Sequence, residues 1–284
     1  LTLLCLPMQI ATILYGGHIL MSADMSWIGQ LGWILSVGTV GAIVAINVGH
    51  ELIHKDPLIE QWAGGLLFAC VTYGGFKVEH VRGHHVNVST PEDASSSRYK
   101  QTLYQFLPHA YLHNFLNAWS LEAKKLKRKG KSTFSLSNEL IWWYGISFVF
   151  AGICGALWGW AGIGYFFAQS FVAFSLLEII NYVEHYGLHR RKLENGRYER
   201  TTVEHSWNSN YLLTNLFLFQ LQRHSDHHAN PKRRYQVLRH HDVSPQLPSG
   251  YATMVVLALF PPLWFKVMNP KVEAYYQGEE HQLK

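Results

Sequence analysis

Three short histidine clusters carry the chemistry of this 284-residue chain: His50-Glu51-Leu52-Ile53-His54, His80-Val81-Arg82-Gly83-His84-His85 and His224-Ser225-Asp226-His227-His228. A fourth segment, Asn181-Tyr182-Val183-Glu184-His185-Tyr186-Gly187, closes a long apolar run with one more histidine. Residues four apart share a helix face, so His50 with His54, and His80 with His84, are each spaced to grip one ion together. His85 stands about 100° round the helix from His84 and is aimed at a second ion. His224, His227 and His228 form an i, i+3, i+4 set. With His185 the candidates exceed the needs of one ion and suit two, with four or five imidazoles each. Imidazole accepts iron, zinc, copper and nickel, so the ligands alone do not choose the metal. Glu51, Glu79, Asp93, Glu184 and Asp226 lie beside the clusters, where a carboxylate can accept an imidazole N–H and orient the ring.

The other histidines lack a third partner nearby in sequence. His109 with His113 and the adjacent His240 and His241 are read as structural, as are His18, His189, His205 and His281. The His50–His54 string also matches the zinc-protease pattern, in which the intervening Glu51 would be a general base. Such a site needs one further ligand, not seven more histidines. A metal transporter would place its ligands inside spans near mid-bilayer, whereas these stand at span ends beside Arg and Lys.

Those ends belong to apolar helices. Hydrophobic residues make up 48% of the chain and charged residues only 15%, against roughly a quarter in soluble domains. Ten Trp suit a membrane–water interface. Cys5, Cys70 and Cys154 all fall in apolar runs without paired spacing, so they read as small buried side chains rather than a disulfide frame. The net charge of +5 is concentrated at residues 124–131, 190–192 and 232–239. In a chain with long apolar runs, such clusters mark the cytoplasmic face of a membrane rather than a nucleic-acid surface.

The expected fold is an all-α integral-membrane helical bundle with a cytoplasmic-side helical cap carrying a His-rich two-metal site. Residues 1–284 read as a single membrane domain with spans at about 1–20, 28–49, 140–158 and 161–181. This count puts every histidine and basic cluster on one face. The run 58–76 is short for a crossing and reads as re-entrant or interfacial. Helices on the cytoplasmic side are expected at about 58–130, with an amphipathic stretch at 103–130, and at about 205–268. The segment after Lys271 reads as a solvated tail. The chain is apolar from its first residue with no basic region ahead, which argues against a signal peptide and suggests an N-terminally truncated sequence.

The histidine order, His-x-x-x-His, His-x-x-x-His-His and His-x-x-His-His, resembles that of the membrane non-haem di-iron oxygenases and desaturases. Longer strings resemble the integral-membrane alkane 1-monooxygenases: Asn181 to Gly187, Leu221-Gln222-Arg223-His224-Ser225-Asp226-His227-His228-Ala229-Asn230-Pro231, and Arg82-Gly83-His84-His85 with Thr90-Pro91-Glu92-Asp93. The match covers roughly residues 45–240. The resemblance implies six spans, two of them upstream of Leu1. It implies two irons held by His50, His54, His80, His84, His85, His185, His224, His227 and His228. It also implies O2, a medium-chain n-alkane and electrons from rubredoxin, either separate or fused, at the cytoplasmic side of a bacterial inner membrane. Arg190, Arg191, Lys192, Lys232, Arg233 and Arg234 are candidates to dock that acidic donor. His189 departs from the family pattern and adds a candidate stray ligand. Related enzymes, a fatty-acid desaturase or a xylene-type hydroxylase, share the same histidine order.

Overall fold

The computed structural model describes residues 1–277; His281, read above as structural, lies outside them. Among the described residues the chain is helical, with two isolated bridge pairs and no strand. It forms two compact units. The first comprises Leu1–Val81 with Phe115–Leu177, and the second Arg82–Asn114 with Glu178–Lys284. Each boundary falls inside or beside a helical stretch, so no linker composition announces it.

In the first unit, α1 (Cys5–Ser22) and α2 (Trp27–Gly41) are joined by a short turn in which the Ser26 hydroxyl accepts the Gly29 N–H, capping α2. α2 runs on through a π-helical stretch, Ala42–Asn47, into α3 (Val48–Ile53). Three helical segments are long and apolar enough to cross a membrane: Thr2–Ser22, Trp27–Ile53 and Glu139–His185. Their outward faces stay apolar, with Trp27, Ile28, Leu31, Phe148 and Val149 exposed, as lipid rather than water requires. Trp33 Nε1 donates to Gly16 O at 2.8 Å and Tyr165 O–H to Ile13 O at 2.9 Å, tying three of these segments together. Gln9 is fully buried in α1, yet neither atom of its carboxamide finds a partner among the described residues.

α4 (Leu58–Ala69) has 12 residues, about 18 Å of helix against a hydrocarbon core of about 30 Å. It packs against α3, and the chain returns through α5 (Gly75–Glu79) to a second π-helical turn, His80–His84, followed by the short α6 (His85–Asn87). α7 spans Leu103–Arg128. α8 (Glu139–His185) breaks at Trp158 and Gly159. Gly159 takes a φ of +63°, a left-handed turn that side chains disfavour.

In the second unit, serines and a tyrosine hold the loop after α6: Ser97 O–H donates to Tyr182 O, and Tyr182 O–H to Gln101 O, both at 2.7 Å. α9 (Leu212–Phe217) and α10 (His224–Ala229) follow a polar loop. The apolar run after residue 250 forms two helices, α11 (Tyr251–Ala258) and α12 (Pro261–Tyr276), because Pro261 and Pro262 suit a helix start and not an interior. α12 continues past Lys271 instead of giving way to a solvated tail. Val272 is fully buried, and the Tyr276 hydroxyl oxygen accepts the His189 N–H at 2.9 Å.

Candidate metal centre

The second unit gathers four imidazoles. The ligand atoms of His84, His185, His224 and His228 all lie within 4.8 Å of one another, and all four residues are buried. Their Nε2 atoms face inward: His84 to His228 at 3.3 Å, His185 to His224 at 3.3 Å and His224 to His228 at 2.8 Å. Each ring nitrogen carries either one proton or one lone pair, so the His224 and His228 nitrogens, each facing two others, cannot satisfy every contact by hydrogen bonding. Four nitrogens held tetrahedrally at about 2.0–2.1 Å from one ion stand about 3.3 Å apart, which is the separation of two of these pairs. The residues fit a metal ion.

The surroundings prepare those nitrogens. Asp93 Oδ2 accepts from His84 Nδ1 at 2.9 Å, which leaves the His84 Nε2 lone pair free for a metal. Ser96 O–H donates to the same carboxylate oxygen at 2.6 Å. Burial pushes the Asp93 carboxyl up, but the facing His84 imidazole and the Ser96 hydroxyl hold it below its ordinary value. Burial, and then the neighbouring imidazoles, hold His228 well below the usual histidine range, so it stays neutral and able to ligate. Ser206 Oγ lies 3.5 Å from His185 Nδ1.

Glu184 plays a different part from the ring-orienting one its sequence position suggests. Its Oε2 lies 3.0 Å from the metal-facing Nε2 of His224, while Oε1 accepts the Tyr251 O–H at 2.7 Å. A carboxyl oxygen therefore stands beside the four nitrogens. Asp226 points elsewhere: it accepts from Arg233, the Arg239 N–H and His241, and so anchors α10 to the loop that follows. In the same unit His85 and His227 face each other with their Nε2 atoms 3.2 Å apart.

The first unit gathers three imidazoles. The ring centroids of His50 and His80 are 4.4 Å apart, those of His54 and His80 5.1 Å, and those of His50 and His54 5.3 Å. Phe76 stacks on His80 at 4.7 Å. Glu51 forms a buried ion pair with Lys55 at 3.0 Å, which disfavours the general-base role of a zinc protease. Glu79 accepts from Asn117 Nδ2 at 3.2 Å.

His80 and His84 do not share a group as their i, i+4 spacing suggests: His80 packs with His50 and His54, and His84 with His185, His224 and His228. The reason is the π-helical turn His80–His84. Hydrogen bonds there run from i to i+5, so the residue a full turn beyond His80 is His85.

Several polar partners of the site were invisible in sequence. Ser206 and Tyr251 are far along the chain from His185 and Glu184, the residues they meet, and no motif marks them; Ser96, three residues from Asp93, carried a weak turn signal. His189 is outside the metal-binding groups and stacks on Tyr276 at 4.6 Å. His109 and His113 pack their rings against each other at 5.5 Å. His205 approaches Glu199, and His240 approaches Asn208. Of the basic residues expected to dock a donor, Arg190 is buried with its guanidinium donating to Val86 O and Glu199 O, and Arg233 is paired with Asp226. These two are internal braces. Arg191, Lys192, Lys232 and Arg234 remain exposed.

Residues 25–258 match the family model described as fatty acid desaturase. By that match the chain belongs to the fatty acid desaturase family, a membrane helical family whose histidine groups fit a metal centre. Among curated proteins it is 69% identical to Alkane 1-monooxygenase 2 of Alcanivorax borkumensis, over 96% of this chain and 72% of the relative. It is 68% identical to Alkane 1-monooxygenase 2 and 64% identical to Alkane 1-monooxygenase 1 of Pseudomonas aeruginosa, over its whole length and 75% and 74% of theirs. Those identities put it in the alkane 1-monooxygenase branch of the family.

Proposed function

We propose that the protein is an alkane 1-monooxygenase that hydroxylates the terminal methyl of medium-chain n-alkanes, using O2 and electrons from rubredoxin at a histidine-held di-iron centre in a bacterial inner membrane. The observation that carries this reading is the convergence of four buried Nε2 atoms, from His84, His185, His224 and His228, on one point. Those four hold one iron in the proposal. His50, His54, His80, His85 and His227 complete the nine ligands of the two irons. The winding at His80–His84 supports a separate place for His84, which faces its own set. The irons, once bound, supply the O2 activation and hydrogen abstraction; the chain supplies everything else.

The division of labour follows from the side chains. Asp93 fixes the tautomer of His84, and Glu184 offsets the positive charge of an all-imidazole centre. The apolar helices let an alkane arrive from the bilayer, each buried CH2 contributing about 0.8 kcal/mol. A substrate without a polar handle is then selected by shape and by which carbon reaches the site. Arg191, Lys192, Lys232 and Arg234 face the acidic donor at the cytoplasmic side.

The test is metal content of the full-length purified protein, measured together with turnover of octane by reduced rubredoxin and O2. Two irons per chain and 1-octanol as product are expected. One zinc per chain without O2 consumption would overturn the reading.

A further inference from the structure

The basic stretch at the end of α7 is built differently from the other two. The helix ends at Gly130, whose φ of +64° turns the chain back on itself. Gly130 N–H bonds to Lys127 O at 3.1 Å and Lys131 N–H to Leu126 O at 3.0 Å, the paired bonds of a Schellman cap. The reversal brings Lys131, Ser132 and Thr133 beside Ser120, Lys124 and Lys127 on the last turns of the helix. Together they line an open cleft of about 490 Å³. The nearby acids are already engaged: Glu122 and Glu139 pair with Lys125, and Glu139 also with Lys77. Lys124 and Lys127 have no carboxylate at ion-pair distance among the described residues. Lys131 Nζ donates to Ser137 Oγ at 3.0 Å and likewise meets no carboxylate among the described residues, so three ammonium groups line one cleft without a counter-charge, an arrangement that repels itself until an anion arrives.

The next residues say which anion. Phe134 is 84% exposed and Leu136 is 72% exposed, on a loop that leads directly into the first turn of α8, an apolar membrane-crossing segment. Trp142 Nε1 donates to Leu136 O at 2.8 Å, fixing the loop, and Trp119 packs against Phe134 at 6.2 Å. Bulky apolar side chains and tryptophans next to a lysine cleft, at the start of a span, match the boundary between headgroups and acyl chains. The carbonyl end of α7 disfavours an anion, so side chains rather than backbone must hold it. We infer that Lys124, Lys127 and Lys131, with the hydroxyls of Ser120, Ser132 and Thr133, form a site for the phosphate headgroup of an anionic phospholipid, with its acyl chains lying along Phe134 and Leu136. This assigns the 124–131 cluster to the lipid, and not to the electron donor.

Native mass spectrometry of the full-length, iron-loaded protein in detergent, after incubation with phosphatidylglycerol or phosphatidylcholine, tests the site. The wild type should retain phosphatidylglycerol about tenfold better than phosphatidylcholine, and a Lys124→Gln, Lys127→Gln, Lys131→Gln triple variant should lose that preference. The matching triple Lys→Arg variant should keep it, and a Phe134→Ser, Leu136→Ser variant should weaken retention while leaving iron content unchanged. Equal retention of the two lipids, or full retention by the glutamine variant, overturns the proposal. Displacement of phosphatidylglycerol by millimolar inorganic phosphate, with the serine variant unaffected, also overturns it and marks a soluble-phosphate site instead.

Discussion

The Nε2 atoms of His224 and His228 stand 2.8 Å apart, one turn from each other on α10. Neither can satisfy all its neighbours without an ion between them. His228→Ala should therefore release the iron held by the four-histidine group and abolish hydroxylation, a loss of at least about 100-fold in activity. Iron per chain, measured with the product assay, separates loss of the metal from loss of catalysis alone.

Asp93 acts on the metal only through His84. Asp93→Asn keeps the shape and weakens the acceptor. The expected result is a loss of about 10–100-fold in metal affinity or turnover, with the helix content unchanged by circular dichroism. Ser96→Ala, one bond further out, should cost less than Asp93→Asn in the same chelator-competition assay.

Buried Gln9 is a polar group in an apolar helix with both carboxamide atoms unsatisfied. Gln9→Leu has similar volume and removes the desolvation penalty, about 1–3 kcal/mol. A rise in the thermal midpoint of the detergent-solubilised protein is expected. A fall would show that the carboxamide has a bonding role in the bilayer.

Glu199 supplies the pH dependence of the 188–210 loop. Burial pushes its carboxyl up, but the Arg191 N–H, His205 and the Arg191 guanidinium hold it below the ordinary value. A depressed folded value means the stabilisation is present above the unfolded pKa of about 4.3 and is lost as pH falls through the folded value. Hydrogen exchange at the Arg191 amide, which donates to Glu199 at 2.8 Å, should quicken over that range. In Glu199→Gln the exchange should already be faster at neutral pH, and the acid-linked step should shrink. The pair is partly exposed, so the effect on global stability stays at or below about 1 kcal/mol.

The donor surface is reduced to the exposed basic side chains. Reversing Lys232 and Arg234 to Glu should raise the KM for reduced rubredoxin at low salt, with kcat nearly unchanged, and flatten its dependence on ionic strength. An unchanged KM removes these residues from docking.

The histidine groups were legible because ligand chemistry needs particular residue types at particular helical intervals; His50, His54 and His185 stand at the ends of apolar helical segments in structure as in sequence, while His224, His227 and His228 lie on a short polar helix of their own. The apolar runs likewise announced their helices. The split of His80 from His84 was hidden, since a π turn leaves no mark in residue type. So were Tyr251 and Ser206, whose bonds join positions 67 and 21 residues from their partners. The structural use of Arg190 and Arg233 was hidden for a related reason: a charge count does not show that a guanidinium is spent on backbone carbonyls or a buried carboxylate.

The winding around His80 explains why two histidine motifs in one chain have different lengths. In α10 the turn is α-helical, and the motif reads His-x-x-His-His. At His80–His84 the turn is π-helical, and the motif reads His-x-x-x-His-His. The four-histidine group takes the first and last histidines of the shorter motif, His224 and His228, and the middle one of the longer, His84. The longer motif is thus the shorter one with a single residue inserted and absorbed into a wider turn. On that account the two motifs differ in spacing along the chain and agree in angular position round the axis. Deleting Val81 should let the turn close to α-helical winding without removing a single histidine, and each ring should keep the direction it now faces.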